Sequence, residues 1–346
     1  MSAHTRRRGR PRQSNPTHDS ESTPGTKSLD GDMPVPVSEA NPEFVPPSIS
    51  LSDLLLGKSY TFHSALPSAI RDDPSAAVTL GVDEAGRGPV LGPMVYGVAY
   101  CLSSYEKSLS SKGFDDSKKL TTAMRTDLMS KICQSDPELH SHVGWSVRVM
   151  SARDISAGML RPIGVGAYNL NAQAHDTTIR LIREVIANGV NVKEIFVDTV
   201  GPPTTYQAKL SRSFPFCKVT VSKKADSLYP SVSAASIAAK VSRDFALEKY
   251  FQIARIGTAE NIGSGYPSDP KTGVWLRESM DELFGWGSEA RFSWSTAADM
   301  LKRDGEIVDW TEIDDDGNLD ISSFLFSPTL HDVTHWFGQS VATAEF

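Results

Sequence analysis

Three short apolar runs in this chain lead into acidic residues, and that repeat limits the possible folds more than any other feature of the sequence. Residues 77–82 run into Asp83 and Glu84, residues 194–197 run into Asp198, and residues 218–221 are followed at short distance by Asp226. Runs of this length rich in β-branched residues predict buried strands, and a further run over 90–101 predicts a neighbouring strand of the same sheet. Between them the apolar spacing changes to that of helices. Ala174, Leu181, Ile182, Val185 and Ile186 fall on one face of a helix over 171–189, which Gly189 closes. Residues 204–214 read as a second helix. Residues 231–250 read as a long third one, with Ala234, Ile237, Ala238, Val241 and Phe245 on one face. Strands alternating with helices predict an α/β sandwich. Sites in open α/β sheets gather where strands end, so the acids are expected to converge at one edge of the sheet.

Converging carboxylates repel one another unless cations stand between them. Magnesium suits them, because it takes carboxylate and phosphate oxygens and keeps several waters. No His/Cys grouping has zinc-ligand spacing. Two such ions roughly 3.5–4 Å apart could bridge a phosphate, activating water on one side and stabilising the leaving oxygen on the other. Each Asp taken alone is more often a turn or helix-cap residue, so the flanking motifs must decide. The segment DEAGRGPVLG does not serve as a dinucleotide loop. Leu91 stands where the third glycine of that motif would fall, and Asp83 and Glu84 would repel a pyrophosphate.

The rest of the composition sets the boundaries. Residues 1–75 are expected to form a disordered tail, because its first part is Ser-, Thr- and Pro-rich and lacks apolar periodicity. Within it RRRGRPR reads as a nuclear-localisation run, a minor-groove hook or simply a solvated basic tail. A catalytic domain is expected over 76–265 and a helical subdomain over 266–305, with residues 269–303 all helical. The formal net charge of −7 weighs against a simple nucleic-acid binder, yet eight acids and no base fall within 304–320 alone. Cys101, Cys133 and Cys217 are odd in number and lie in apolar runs, so they read as buried reduced thiols of a cytosolic or nuclear protein. No stretch approaches the ~18 uncharged apolar residues of a membrane span.

DEAGRGPVLGPMVYG, DDSKKL, NLNAQAHD, FVDTVG, KADSLYPSVSAASIAAKVSRD, GSGYPSDPKT and RFSWSTA follow in that order. This set resembles the catalytic subunits of eukaryotic type 2 ribonucleases H, within the ribonuclease HII family. The resemblance implies a ribonuclease-H-like α/β fold, a mixed sheet flanked by helices, with a C-terminal helical extension. It implies that Asp83, Glu84, Asp198 and Asp226 are the catalytic, metal-holding carboxylates of a two-ion site for Mg2+, with Mn2+ as a substitute. Gly86, Arg87 and Gly88 match a loop that grips the ribose 2′-hydroxyl and nearby phosphates. Tyr266 matches a tyrosine that packs on the sugar at an RNA–DNA junction. Lys118 and Asn169 match phosphate contacts, though a solvated lysine and a helix cap read as well from the residues alone. Arg243 matches either a phosphate contact or a structural partner, and its place late on a helix favours the structural role.

The implied activity is hydrolysis of the RNA strand of RNA–DNA hybrids and incision 5′ of single ribonucleotides in duplex DNA, leaving 3′-hydroxyl and 5′-phosphate ends. Ribonucleotide excision and primer removal in the nucleus follow from it. So does a heterotrimer with two non-catalytic subunits. The segment 306–346 carries Phe324, Leu325, Phe326, Trp336 and Phe337 beside its acids, which suits either partner docking or folding back. Rival readings are a DNA-directed nuclease of the same fold, a nucleic-acid-binding subunit without activity, and a two-carboxylate glycosidase. The GRG loop and Tyr266 argue against the first, the intact quartet of acids against the second, and the missing aromatic cleft against the third.

Overall fold

Six strands form one mixed sheet in the computed structural model, which describes residues 44–114, 120–161, 166–199 and 201–306. In chain order come α1 (Leu51–Leu55), β1 (Tyr60–His63), α2 (Ser68–Arg71), β2 (Val78–Ala85), β3 (Met94–Leu102), α3 (Glu106–Ser111) and α4 (Thr122–Ser130). A π-helical turn (Lys131–Ser135), α5 (Pro137–His142), β4 (Gly144–Met150), α6 (Ala152–Met159) and α7 (Leu170–Ala187) follow. Next are β5 (Val192–Asp198), α8 (Pro203–Ser213), β6 (Lys218–Ser222) and a 3-10 turn (Ala225–Ser227). The remaining helices are α9 (Pro230–Ala254), α10 (Ala259–Ile262), α11 (Pro270–Glu278) and α12 (Ser295–Asp304).

The strands lie in the order β1-β4-β3-β2-β5-β6. β2 runs antiparallel to β3 and parallel to β5, so the carboxyl ends of β2 and β5 share one edge. Val82 pairs with Val197 in that register, which brings Asp83 beside Asp198. Side chains alternate faces along each strand. On β3, Met94, Tyr96, Val98 and Tyr100 enter the core layer beneath α7 and α8, while Val95, Ala99 and Cys101 enter the layer beneath α9. A third cluster joins Val90, Leu91, Leu247 and Phe251 to Trp275, Leu276, Trp286 and Met300. The helices over 266–305 therefore complete their core with residues of α9 and of the segment between β2 and β3.

Helix α9 sits unusually close to the sheet. A Cβ on Gly81 would lie 2.2 Å from the Ser231 carbonyl carbon, and one on Gly97 would lie 2.5 Å from Ala235 O. Only glycine allows such an approach. The helix answers with small buried residues, Ser231, Ala234, Ala235, Ala238 and Ala239. This contact carries Ser236 and Lys240 to the carboxylate end of β2.

Several expectations are corrected here. The tail does not extend to residue 75: β1 pairs antiparallel with β4, from Tyr60 opposite Val149 to His63 opposite Ser146. Phe44, Ile49, Leu54, Tyr60 and Phe62 also pack onto the second core layer. β1 escapes periodicity because it is an edge strand whose residues are all partly exposed, so pairing and not alternation defines it. Residues 279–294 are not helical. Asp281 Oδ1 accepts the Leu283 and Phe284 N–H groups at 2.9 Å, and Gly285 adopts φ +72°, which makes a tight turn. Cys217 is only partly buried, its thiol donating to Val192 O at 3.2 Å. No helix among the described residues is long and apolar enough to cross a membrane. The basic run over 6–12, Lys118 and the segment 307–346 lie outside the described residues.

Candidate active site

Asp83 and Glu84 stand near the end of β2, and Asp198 is the last residue of β5. Asp226 does not sit at a strand end. β6 stops at Ser222, Lys224 turns through a left-handed conformation at φ 56°, and Asp226 follows on the 3-10 turn. That turn is tied back to β5, because Asp198 Oδ1 accepts the Ala225 N–H at 3.1 Å. Asp83 and Asp226 are both buried, at 6% and 2% exposure. Asp83 Oδ1 also accepts the Glu84 N–H at 2.8 Å.

Burial pushes the Asp83 carboxyl above the usual carboxylate range. A hydrogen bond from Ser236 opposes the rise, the charge of Asp198 adds to it, and Lys240 opposes it. Glu84 is raised in the same way, by burial first and then by Asp83, with Arg87 opposing. Among the described residues no three Asp, Glu, His or Cys side chains close around a point that would hold a metal by themselves. Magnesium does not require such a cage, since it is usually held by one or two carboxylates plus waters and substrate phosphates. Buried oxygens that repel each other, with Lys240 and Arg87 as the opposing charges, suit a hard divalent cation in charge and in donor type.

The residues after Glu84 form the second half of the site. Gly86 adopts φ +81°, where a Cβ would meet Pro93 O at 2.7 Å, so the turn needs glycine. A Cβ on Gly88 would lie 3.0 Å from Tyr266 Cε1, which places the tyrosine ring against the loop. Tyr266 remains 42% exposed. Its neighbour Gly265 anchors it, accepting the Val90 N–H at 2.8 Å and donating to Thr272 Oγ1 at 3.0 Å. Arg87 Nη2 donates to Asn171 Oδ1, while Arg87 Nη1 is buried without a hydrogen-bond partner among the described residues.

The structure thus gathers Asp83, Glu84, Asp198 and the Asp226 turn at one edge, and sets Tyr266 against Gly88. Asn169 is the N-cap of α7, its Oδ1 accepting the Ala172 N–H at 3.0 Å, which leaves its side-chain NH2 as the group that could meet a phosphate. Asn171, two residues on, is the one that reaches Arg87. Arg243 takes the structural role, donating to Ser264 O at 3.1 Å and pairing with Asp244 at 3.0 Å. Sequence reasoning missed Ser236, Lys240, Asn171, Arg291 and Trp294. The i,i+4 spacing of Ser236 and Lys240 on α9, joined by a 2.7 Å hydrogen bond, was the available signal for that pair. Arg291 is fully buried beneath the loop. Burial, then the charge of Arg243, pulls its pKa down to about 9, which leaves it a cation at neutral pH.

A family model described as Ribonuclease HII matches residues 80–297 of the chain. The A subunit of ribonuclease H2 from Neurospora crassa is 48% identical over 309 residues, 87% of this chain and 96% of that protein. Its counterpart from Schizosaccharomyces pombe is 50% identical over 285 residues, covering 81% of this chain and 84% of that one. Among solved structures, the crystal structure of ribonuclease H2 from Pyrococcus horikoshii matches with a TM-score of 0.54 at 31% identity. The match covers 65% of this chain and 98% of that chain.

Proposed function

The chain belongs to the ribonuclease HII family, and from that premise we propose how its site selects and cuts its substrate. It is a type 2 ribonuclease H, an endonuclease that hydrolyses the RNA strand of RNA–DNA hybrids. It also incises on the 5′ side of a lone ribonucleotide embedded in duplex DNA, leaving 3′-hydroxyl and 5′-phosphate ends. Asp83, Glu84, Asp198 and Asp226 would hold two Mg2+ ions, for which Mn2+ can substitute. Bound there, such ions would supply the positive charge that activates a water and offsets the charge on the leaving oxygen.

The chain's own groups do the rest. Ser236 hydrogen-bonds to Asp83 and Lys240 partly neutralises it, so the two residues hold the carboxylate in place. The Gly86–Gly88 backbone approaches the ribose, and the 2′-hydroxyl it meets there is what separates RNA from DNA. Arg87, held by Asn171, keeps a buried donor for a substrate phosphate. Tyr266 packs on the next sugar. The observation that carries this reading is the contact of Tyr266 with Gly88, only four residues after Glu84 in a loop that leaves the catalytic strand. That contact supports sugar reading next to bond cleavage.

The acidic, aromatic-containing segment over 306–346 supports assembly with two non-catalytic subunits, and the arginine run over 6–12 supports residence in the nucleus. The test gives the purified chain, alone and co-expressed with those subunits, two substrates in Mg2+: an RNA–DNA hybrid and a DNA duplex with one ribonucleotide. Cleavage of both, with incision mapped 5′ of the ribonucleotide, is the expected result. Hybrid cleavage with the single ribonucleotide untouched in both preparations would overturn the incision role.

A further inference from the structure

The carbonyls of Gly86, Arg87 and Gly88 are all held from behind by side chains to which the proposed function gives no role. Arg291 Nη2 donates to Gly86 O at 2.6 Å, and Arg291 Nη1 donates to Arg87 O at 3.2 Å. Trp294 Nε1 donates to Gly88 O at 3.0 Å. Further along the chain, Arg291 Nε donates to Gly92 O at 3.0 Å and the Arg291 main-chain N–H donates to Val90 O at 2.8 Å. The guanidinium lies over the Trp294 ring, 4.7 Å from its centroid, so the two side chains brace each other.

The energetics of Arg291 argue against a mere filler. A fully buried guanidinium carries a large desolvation cost, and an apolar side chain of similar volume would fill the same space at a lower one. Its hydrogen-bond partners are main-chain carbonyls and not carboxylates, so no buried ion pair explains its presence. What a planar, forked donor supplies here is direction. A trans peptide is planar, with C=O and N–H pointing opposite ways. Fixing Gly86 O and Arg87 O therefore turns the N–H groups of Arg87 and Gly88 to the opposite face of the loop. Fixing Gly88 O sets the residue on which Tyr266 rests.

We propose that Arg291 and Trp294 are positioning residues for sugar recognition, which aim the Gly86–Gly88 backbone at the ribose and thereby set the preference for a ribonucleotide over a deoxyribonucleotide. This rests on the ribose-reading role proposed for the loop. Neither side chain touches the substrate. Their loss is expected to lower ribose preference much more than affinity for duplex DNA in general.

The test measures binding of the full-length chain, in EDTA so that nothing is cut, to a DNA duplex with one ribonucleotide and to its all-DNA counterpart. Trp294→Phe keeps the ring and most of the volume and deletes one N–H donor. Arg291→Lys keeps the charge and deletes the fork. The wild type should prefer the ribonucleotide duplex. Trp294→Phe should reduce that preference roughly fivefold to tenfold, the worth of one hydrogen bond, with all-DNA affinity nearly unchanged. Arg291→Lys should reduce it further. The all-DNA affinity of the same sample is the internal control, because a misfolded protein loses both. Should Arg291→Lys fail to fold, Trp294→Phe decides alone. A wild-type preference that survives in Trp294→Phe, or equal losses on both duplexes, overturns the positioning role only. No preference in the wild type overturns the ribose-reading role and this proposal with it.

Discussion

Asp83, Glu84 and Asp198 are carried by paired strands whose ladder already fixes their places, whereas Gly86–Gly88 begin two residues after Glu84 on backbone that no ladder holds. The acids are ordered by regular strand pairing and strained first by burial and then by their mutual repulsion. The loop carries no such repulsion, but its order comes from afar: Arg291 lies 204 residues from Arg87, and Trp294 lies 206 from Gly88. The proposed chemistry and the proposed sugar selection thus stand beside each other yet depend on different physics. One fails when a charge is removed, the other when a long-range closure is loosened. The two functions should therefore be separable by single substitutions.

The largest separation is expected on the acidic side. Asp83→Asn or Asp198→Asn should lower cleavage by more than about a thousandfold, since several kcal/mol of transition-state stabilisation is lost. Substrate affinity should change little, because phosphate contacts elsewhere supply it. Single-turnover rates and equilibrium binding on one hybrid check this. A rate within about tenfold of wild type in either variant would remove those acids from the catalytic role.

That contrast also explains what the sequence revealed. The acids were legible because each follows an apolar run, but the turn that carries Asp226 was not, since a left-handed Lys224 and a 3-10 turn leave no periodic trace. The long helix α9 was legible from its apolar face, but not its closeness to the sheet, which depends on Gly81 and Gly97 in other segments. Asn171 was passed over for Asn169 two residues earlier, because only the start of α7 shows that Asn169 caps the helix while Asn171 reaches Arg87. Arg291 and Trp294 were visible as part of RFSWSTA but had no assignable role, because a buried arginine bonded to carbonyls resembles any other arginine until its partners are brought to it. The edge strand β1 stayed hidden for a related reason, its identity residing in its partner β4.

On the loop side the expected effect is intermediate. Tyr266→Ala should cost ~1–3 kcal/mol in kcat/KM on a single embedded ribonucleotide, by analogy with aromatic–base contacts, and clearly less on a long hybrid. Both substrates are compared at fixed salt, with a thermal melt alongside. Equal losses on the two would assign Tyr266 to general binding and would weaken the distinction between the two halves of the site.

The smallest effect concerns the acids in the absence of metal. Asp83 and Glu84 have folded-state pKa values raised mainly by burial, so the folded chain holds their protons more tightly than the unfolded chain does. Their contribution to stability is fully present below the ordinary carboxylate value of about 4 and is lost as pH rises through the raised values. In EDTA the melting temperature should therefore fall as pH rises from weakly acidic toward neutral, by roughly 2–4 °C for each kcal/mol lost. Asp83→Asn should flatten that dependence, and Mg2+ should restore stability at the upper end. Calorimetry of wild type and variant across this range reads all three. An identical slope in the two proteins would show that the acids are not strained as described.

The independence of the two halves is tested most directly by the Asp198→Asn protein, through its relative affinity for a duplex with one ribonucleotide and for the same duplex made wholly of DNA. A preference equal to that of the wild type, in a protein that no longer cleaves, is the result predicted by a loop aimed by Arg291 and Trp294 independently of the acids. A preference that collapses along with cleavage would mean that the carboxylates themselves position the ribose, and would contradict the separation.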